Sequence, residues 1–373
     1  MSPSLSIYLD VVRLLAAMLV MLGHAYTFTG GYFHLFAGHG SAAVSIFFVL
    51  SGFVIAFVTE KKERTGSDYL ISRMARMYSV ALPAIAVTVA ADYVGYNVDP
   101  RPYLGLMPGA LASFNTEYLN LGWSWSDIFR LVTFTNELWS SHTQVGSGEP
   151  YWSLGFEVWY YIIFGLYLFA PGSKRSRTVL AALAAFIAGP KICAYLPLWL
   201  LGVWCYRLMS APVGHFRRLP SWLFVALFFV TPLAYLLARA ELAPMTQSMF
   251  RHDRLTWNVI VSVMYFHLVG LLFCINLVSF QQIAIRYEGF SNLIVRGRTL
   301  VQWLAGATFT LYLVHQPLLL MILAINPLRQ QPDMWAYTSL WVTVALVFLL
   351  AQFTERKKDA WKVGLTFLLK RPS

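Results

Sequence analysis

Charge is scarce in this chain. Asp, Glu, Lys and Arg make up 12% of its 373 residues, where soluble domains carry about 25%. Acidic residues are the scarcer sign, 17 against 28 basic ones, for a formal charge of +11. That excess suggests a nucleic-acid partner, but the basic residues sit in short loops between apolar blocks, and this distribution excludes one. Cysteine is also rare. Cys193, Cys205 and Cys274 lie far apart, in or beside apolar segments and without ligand spacing, which excludes a disulfide framework and a zinc site. No metal is expected. No internal repeat and no low-complexity run is detectable. The first apolar block has no basic leader, carries Arg13 and His24, and leads into a second span, so it does not read as a cleavable signal peptide.

Apolar residues are what the chain has in excess: 58% are hydrophobic and the mean hydropathy is +0.59. They fall in blocks long enough to cross a bilayer. We read ten spans, at about 9–28, 41–59, 78–97, 150–170, 179–193, 194–209, 222–238, 259–279, 300–324 and 336–352. The fifth and sixth are short. With a cytoplasmic N-terminus, the inside loops (60–77, 171–178, 207–220, 280–299 and the tail from 353) hold 20 of the 28 Lys and Arg, against seven on the outer side. This is the positive-inside asymmetry, and with an even number of spans it puts both termini in the cytoplasm. The expected fold is all-α: a polytopic membrane protein of about ten helices around a central donor/acceptor cavity. It is expected to be one domain over 1–373 with no appended soluble domain. The longest stretch outside the membrane, 98–149, carries Trp123, Trp125 and Trp139. They read either as an interfacial belt or as platforms for a sugar ring.

Ionisable residues inside these spans are the candidate functional groups, because such groups are costly in lipid and face protein or water-filled cavities. Arg13 and His24 are 11 residues apart, about three helical turns, so they share a face about 16 Å apart along the axis. In the second span, Ser51-Gly52 reads either as a close helix contact or as a functional pair. Arg73 and Arg76 are three apart where a helix enters the membrane, which reads either as a positive-inside anchor or as a clamp for phosphates. The fourth span opens Trp152-Ser153-Leu154-Gly155-Phe156-Glu157, with Ser153 and Glu157 on one face and Glu157 close to His24 in depth. Tyr312 and His315 share a face of the ninth span, just before Pro317, which should kink it; a histidine there reads either as hydrogen-bonded structure or as a functional group. Glu355-Arg356 follow the last span and read as a salt bridge or a helix-end contact.

Taken in order, these pieces resemble the acyltransferase-3 family of integral membrane acyltransferases. The resemblance rests on Arg13 with His24, FFVLSGF at 47–53, Arg73-x-x-Arg76, WSLGFE at 152–157, LYLVH at 311–315 and Glu355-Arg356, and so runs over almost the whole chain. It implies an enzyme of the inner (plasma) membrane that transfers an acyl group, usually acetyl, to a hydroxyl. This is a transferase of groups other than aminoacyl groups. The donor is cytoplasmic acyl-CoA, with acetyl-CoA as co-substrate; the acceptor is a carbohydrate or lipid-linked sugar of the cell envelope. The resemblance maps the family's essential pair onto Arg13 and His24, its donor-associated arginines onto Arg73 and Arg76, and its WSL-motif glutamate onto Glu157. Two departures stand out. Ser45 lies where many members have an acidic residue, and no esterase-like domain follows the membrane part.

Thioester acyl transfer needs a base, stabilisation of the oxyanion and exclusion of water. His24, with an ordinary pKa near working pH, is the expected base. Glu157 orients it or binds sugar hydroxyls. Arg13 holds the donor arm in the cavity, and Arg73 and Arg76 hold its phosphates. Ser153, Trp152, Tyr312 and His315 are the expected acceptor-binding residues. Direct attack and a covalent acyl-enzyme both remain open. The competing reading is a proton-coupled transporter or exporter of a glycan or small metabolite, which would also use His, Glu and Arg at depth. Many carriers show an internal repeat, which this chain lacks. A purely structural scaffold leaves the intramembrane ionisable residues without a role.

Overall fold

The structure, a computed structural model, describes residues 1–106, 122–211, 216, 218–242 and 257–369. Arg217, Arg251, Arg254, the chain from 370 and residues 107–121 of the long 98–149 stretch lie outside the described residues. Among the described residues the elements are α-helices and short 3-10 turns, with no strand.

The first helix, α1 (Pro3–Phe28), starts earlier than hydropathy suggested. The Ser2 hydroxyl caps it by accepting from the Leu5 amide at 3.3 Å, and Pro3 fits the first position, where no amide donor is needed. The next two helices are α2 (Gly40–Lys61) and α3 (Gly66–Val98). The latter is 33 residues long, about 50 Å, and extends well beyond a bilayer core. Its cap is Thr65, which accepts from the Asp68 amide at 3.1 Å. Most of the stretch read as the inside loop 60–77 is therefore helix, and Arg73 and Arg76 sit on rigid backbone. An amphipathic helix, α4 (Trp125–Val132), closed by a Ser124–Asp127 capping box, precedes α5 (Trp152–Phe169).

Two spans break where the hydropathy profile did not place a break. The expected fifth and sixth spans are α6 (Lys174–Ala188) and α7 (Pro190–Ser210), so their boundary is Gly189, not 193/194. Gly189 has φ +87°, and a Cβ there would stand 2.8 Å from Cα of Trp139, so glycine is required. Pro190 then starts α7. At 15 residues α6 is about 22 Å long, short of a bilayer core. After α8 (Ser221–Leu242) and α9 (Trp257–Arg286) come two short helices, α10 (Glu288–Arg296) and α11 (Arg298–Ala305). The expected span 300–324 thus divides at Gly306-Ala307 into α11 and α12 (Thr308–Ile325). The chain continues through α13 (Pro332–Ala351) and α14 (Lys358–Leu369).

By length and composition, nine stretches among the described residues can cross a membrane, against the ten expected; α6 is the one that falls short. The centre of the bundle is α12, where 15 of 18 residues are buried against α1, α3 and α13. The most peripheral spanning helix is α8, whose packing is mainly against α9. The start of α1 and the end of α13 lie on one side of the bundle, since Lys358 acts electrostatically on Asp10. That side is called the near side below.

Candidate active site

The break before α12 creates the site. An α-helix begins with amide donors that have no partner of their own. At Thr308 these are met from the far end of the sequence: a Glu355 carboxylate oxygen accepts from the amides of Phe309 at 2.8 Å and Thr310 at 3.3 Å. The hydroxyls of Thr310 and Thr354 bond at 2.7 Å beside it. Arg356 stacks on Trp303 and donates to its carbonyl at 2.7 Å. Glu355-Arg356 is thus a helix-end contact that fixes where α12 starts, and so the depth of Tyr312 and His315.

A narrow cavity of about 60 Å³ adjoins this break. Arg13 of α1, Ser51 of α2, Arg76 of α3, Ser153, Glu157 and Tyr161 of α5 and Tyr312 of α12 line it, with Phe47, Phe48 and Phe309 among its apolar wall residues. Among the described residues Glu157 has no ion pair within 4 Å. Its Oε1 accepts from the Ser51 hydroxyl at 2.6 Å and from the Tyr161 hydroxyl. The indole N–H of Trp199 in turn donates to Ser51 at 3.1 Å. This network depends on a very close crossing of α2 and α7. A Cβ at Gly52 would stand 2.0 Å from the Trp199 carbonyl oxygen, and one at Gly202 would stand 2.0 Å from that of Val49. In the Ser51-Gly52 pair, glycine serves the helix contact and serine serves the carboxylate.

Two arginines share the cavity with Glu157. Arg13 pairs with Asp10 at 3.5 Å. Arg76 lies over the Phe309 ring at 5.8 Å and has no ion pair within 4 Å among the described residues; its buried Nε has no partner. Glu157 and Glu355 act on both arginines electrostatically.

His24 lies away from this lining. Its Nδ1 is 2.9 Å from Nε2 of His315, and the two rings are near-parallel with centroids 5.0 Å apart. The fully buried His315 has its Nδ1 2.9 Å from the Leu311 carbonyl oxygen, one turn back in α12. The expected wall from Arg13 to His24 is therefore divided. The described cavity reaches Tyr312 and Ser153, and the histidine pair lies one turn further along α12.

Several residues sit elsewhere than the sequence suggested. Glu157 lines the cavity with Arg13 and Arg76 and not beside His24. Arg73 and Arg76 diverge despite their spacing. Arg73 is buried in an ion pair with Glu63 from the α2–α3 turn, lies over the rings of Tyr69 and Tyr161 at 5.3 and 5.7 Å, and borders a separate groove between α3 and α5. Trp152 packs edge-on against Phe48 and Phe156 and does not line the cavity. Trp123, Trp125 and Trp139 are all exposed. Sequence reasoning missed Tyr161, Trp199 and Glu63. Tyr161 had a signal, since it follows Glu157 by one turn.

A bundle of apolar helices around a charge-lined cavity is the architecture of a polytopic membrane transferase or carrier. Comparison with known proteins narrows the class: the chain belongs to the acyltransferase-3 family, whose acyltransferase domain matches residues 6–353. It is 27% identical over 175 residues to the exopolysaccharide production protein ExoZ of Rhizobium meliloti (strain 1021), covering 47% of this chain and 48% of that protein. It is 27% identical over 185 residues to an O-acetyl transferase of Shigella phage Sf6, covering 48% of this chain and 50% of that protein. The chain thus spans about half the length of these curated relatives. No solved structure matches it.

Proposed function

We propose that the protein is a membrane O-acyltransferase. It moves an acyl group, acetyl in the first instance, from cytoplasmic acyl-CoA to a hydroxyl of a carbohydrate or glycolipid at the outer side of the inner membrane. The observation that carries the reading is the arrangement along α12: unpaired positive charge at its near end, a carboxylate midway, and an imidazole pair beyond. That order suits a donor held by its phosphates on one side and a base for the acceptor hydroxyl towards the other.

The near side is taken as cytoplasmic, in keeping with the positive-inside asymmetry. Arg76, without an anionic partner of its own, meets the donor's phosphates, and Arg13 the arm that follows. A narrow cavity suits a thin flexible arm better than a sugar ring. The thioester must pass beyond the cavity's end at Ser153 and Tyr312 to reach the level of His24, about 16 Å beyond Arg13 along α1 at 1.5 Å per residue. There the acceptor oxygen attacks the thioester carbonyl carbon, and His24 removes the hydroxyl proton. Collapse of the tetrahedral intermediate breaks the C–S bond, and the proton returns to the departing sulfur. Ser153 and Tyr312 offer hydroxyls to the acyl group or acceptor, and Glu157, held open by Ser51 and Tyr161, offers a carboxylate oxygen. Arg73, neutralised by Glu63, supports the Tyr161 ring and does not meet the donor.

The test is transfer itself. Membranes containing the protein, given acetyl-CoA labelled in the acetyl group, should label carbohydrate or glycolipid. Membranes with Arg76→Ala should need about tenfold more donor for half-maximal rate, the loss of one charge-assisted phosphate contact. An unchanged donor requirement would remove Arg76 from the donor site, and no labelled product from the intact protein would remove the function.

A further inference from the structure

We infer that His315 is a positioning residue. It fixes the tautomer of His24 so that the lone pair of His24 Nε2 is the basic site. The inference rests on the reading of His24 as the base and deepens it, because it says which atom takes the proton and what sets that choice.

Two hydrogen bonds run in series from a fixed end. The Leu311 oxygen is a backbone carbonyl and can only accept. His315 Nδ1, 2.9 Å away, must therefore carry a hydrogen. In a neutral imidazole the other nitrogen is then a bare acceptor. That nitrogen, Nε2 of His315, stands 2.9 Å from Nδ1 of His24, so His24 Nδ1 must donate. The remaining nitrogen, Nε2 of His24, is left with its lone pair. The opposite neutral tautomer of His24 would set two lone pairs against each other, and that of His315 would turn both 2.9 Å contacts repulsive, two lone pairs at the Leu311 oxygen and two hydrogens at His24. The series is anchored on a backbone atom inside a helix, which cannot flip.

Exposure agrees with this division of roles. His315 is 0% exposed and both its nitrogens are engaged, so it cannot contact an acceptor, and its expected role in substrate binding is replaced. His24 is partly exposed, and its Nε2 has no partner among the described residues. When His24 takes the acceptor's proton on Nε2, its Nδ1–H keeps donating to His315. The cation then has an acceptor already in place, the role a carboxylate fills in a serine-hydrolase triad. Here the acceptor is a neutral ring, so no second buried charge is needed. The Glu355 cap on α12 and the packing of α1 on α12 hold the pair in register.

The test separates an acceptor role from mere volume. His315→Gln places an amide oxygen near the position of Nε2, where it accepts from His24 Nδ1–H. His315→Leu has no acceptor, and His315→Lys has donors only. Turnover in His315→Gln should stay within about tenfold of the parent, while His315→Leu and His315→Lys should fall by about 100-fold or more, the usual contribution of a general base. The donor concentration for half-maximal rate should be unchanged in all three. Equal losses in the Gln and Leu variants at normal membrane abundance would overturn the inference. A second readout uses the unmutated protein: ¹⁵N spectra of the membrane-embedded chain should show His24 protonated at Nδ1 and bare at Nε2. The opposite assignment would also overturn it. If instead His24→Ala retains turnover, the base assignment itself is wrong, a different result from either of these.

Discussion

Each charge in this site is handled differently. Glu157 is held by the hydroxyls of Ser51 and Tyr161, which leaves its second oxygen free for the cavity. Arg76 has no ion pair among the described residues, whereas Arg73 is engaged in a pair whose side chains are 9% and 5% exposed. A buried pair is costly to break and cheap to replace as a whole, because removing one partner leaves the other charge unsolvated. Arg73→Ala should therefore destabilise the protein by about 3–5 kcal/mol, seen as a lower midpoint of thermal unfolding in detergent and lower membrane abundance. Arg73→Met with Glu63→Met should recover most of that loss. A single Arg73→Ala variant of normal stability but weakened acetyl-CoA binding would return Arg73 to the donor site. The spacing of Arg73 and Arg76 allowed a shared role. What the sequence hid is Glu63, ten residues before Arg73, which the α2–α3 turn brings back under the helix.

The element on which the site depends is the interrupted helix α11–α12. Hydropathy sees one apolar run there, because Gly306-Ala307 is not polar enough to interrupt it. The break shows only in three dimensions, where Glu355 supplies the acceptor that a new helix start requires. Glu355→Ala should lose the cap and cost about 0.5–2 kcal/mol of stability. It should also lower turnover, since Tyr312 and His315 depend on where α12 begins. Glu355→Gln, whose amide oxygen can still accept, should retain both. Loss of turnover in the Gln variant as severe as in the Ala variant would argue that the charge of Glu355 matters, not its capping bond. The α6–α7 junction shows the opposite case. Gly189-Pro190 was a readable stop and start signal, and the apolar residues on both sides obscured it.

At the scale of the whole molecule, the membrane class, the all-helical fold and most spans were legible because apolar runs of bilayer length leave few alternatives. The candidate groups stood out too, since ionisable residues in such runs are few. Their grouping did not. Helical spacing relates residues on one helix, and this cavity joins α1, α2, α3, α5 and α12. Depth estimated from span boundaries put Glu157 near the level of His24; the structure sets Glu157 on the cavity with Arg13 and Arg76, whose lining does not include His24. The His24–His315 contact, 291 residues apart in sequence, had no local signal.

We propose that the two ends of α12 serve one transfer, with His24 as its base. The direct measurement is mass spectrometry of surface carbohydrates and glycolipids from cells that lack the protein, carry it, or carry His24→Ala. One carbohydrate or glycolipid species should be heavier by an acetyl group only in cells with the intact protein, with His24→Ala present in the membrane at normal abundance. The acetylated species at undiminished level in cells with His24→Ala, or its absence from cells with the intact protein, would contradict this proposal.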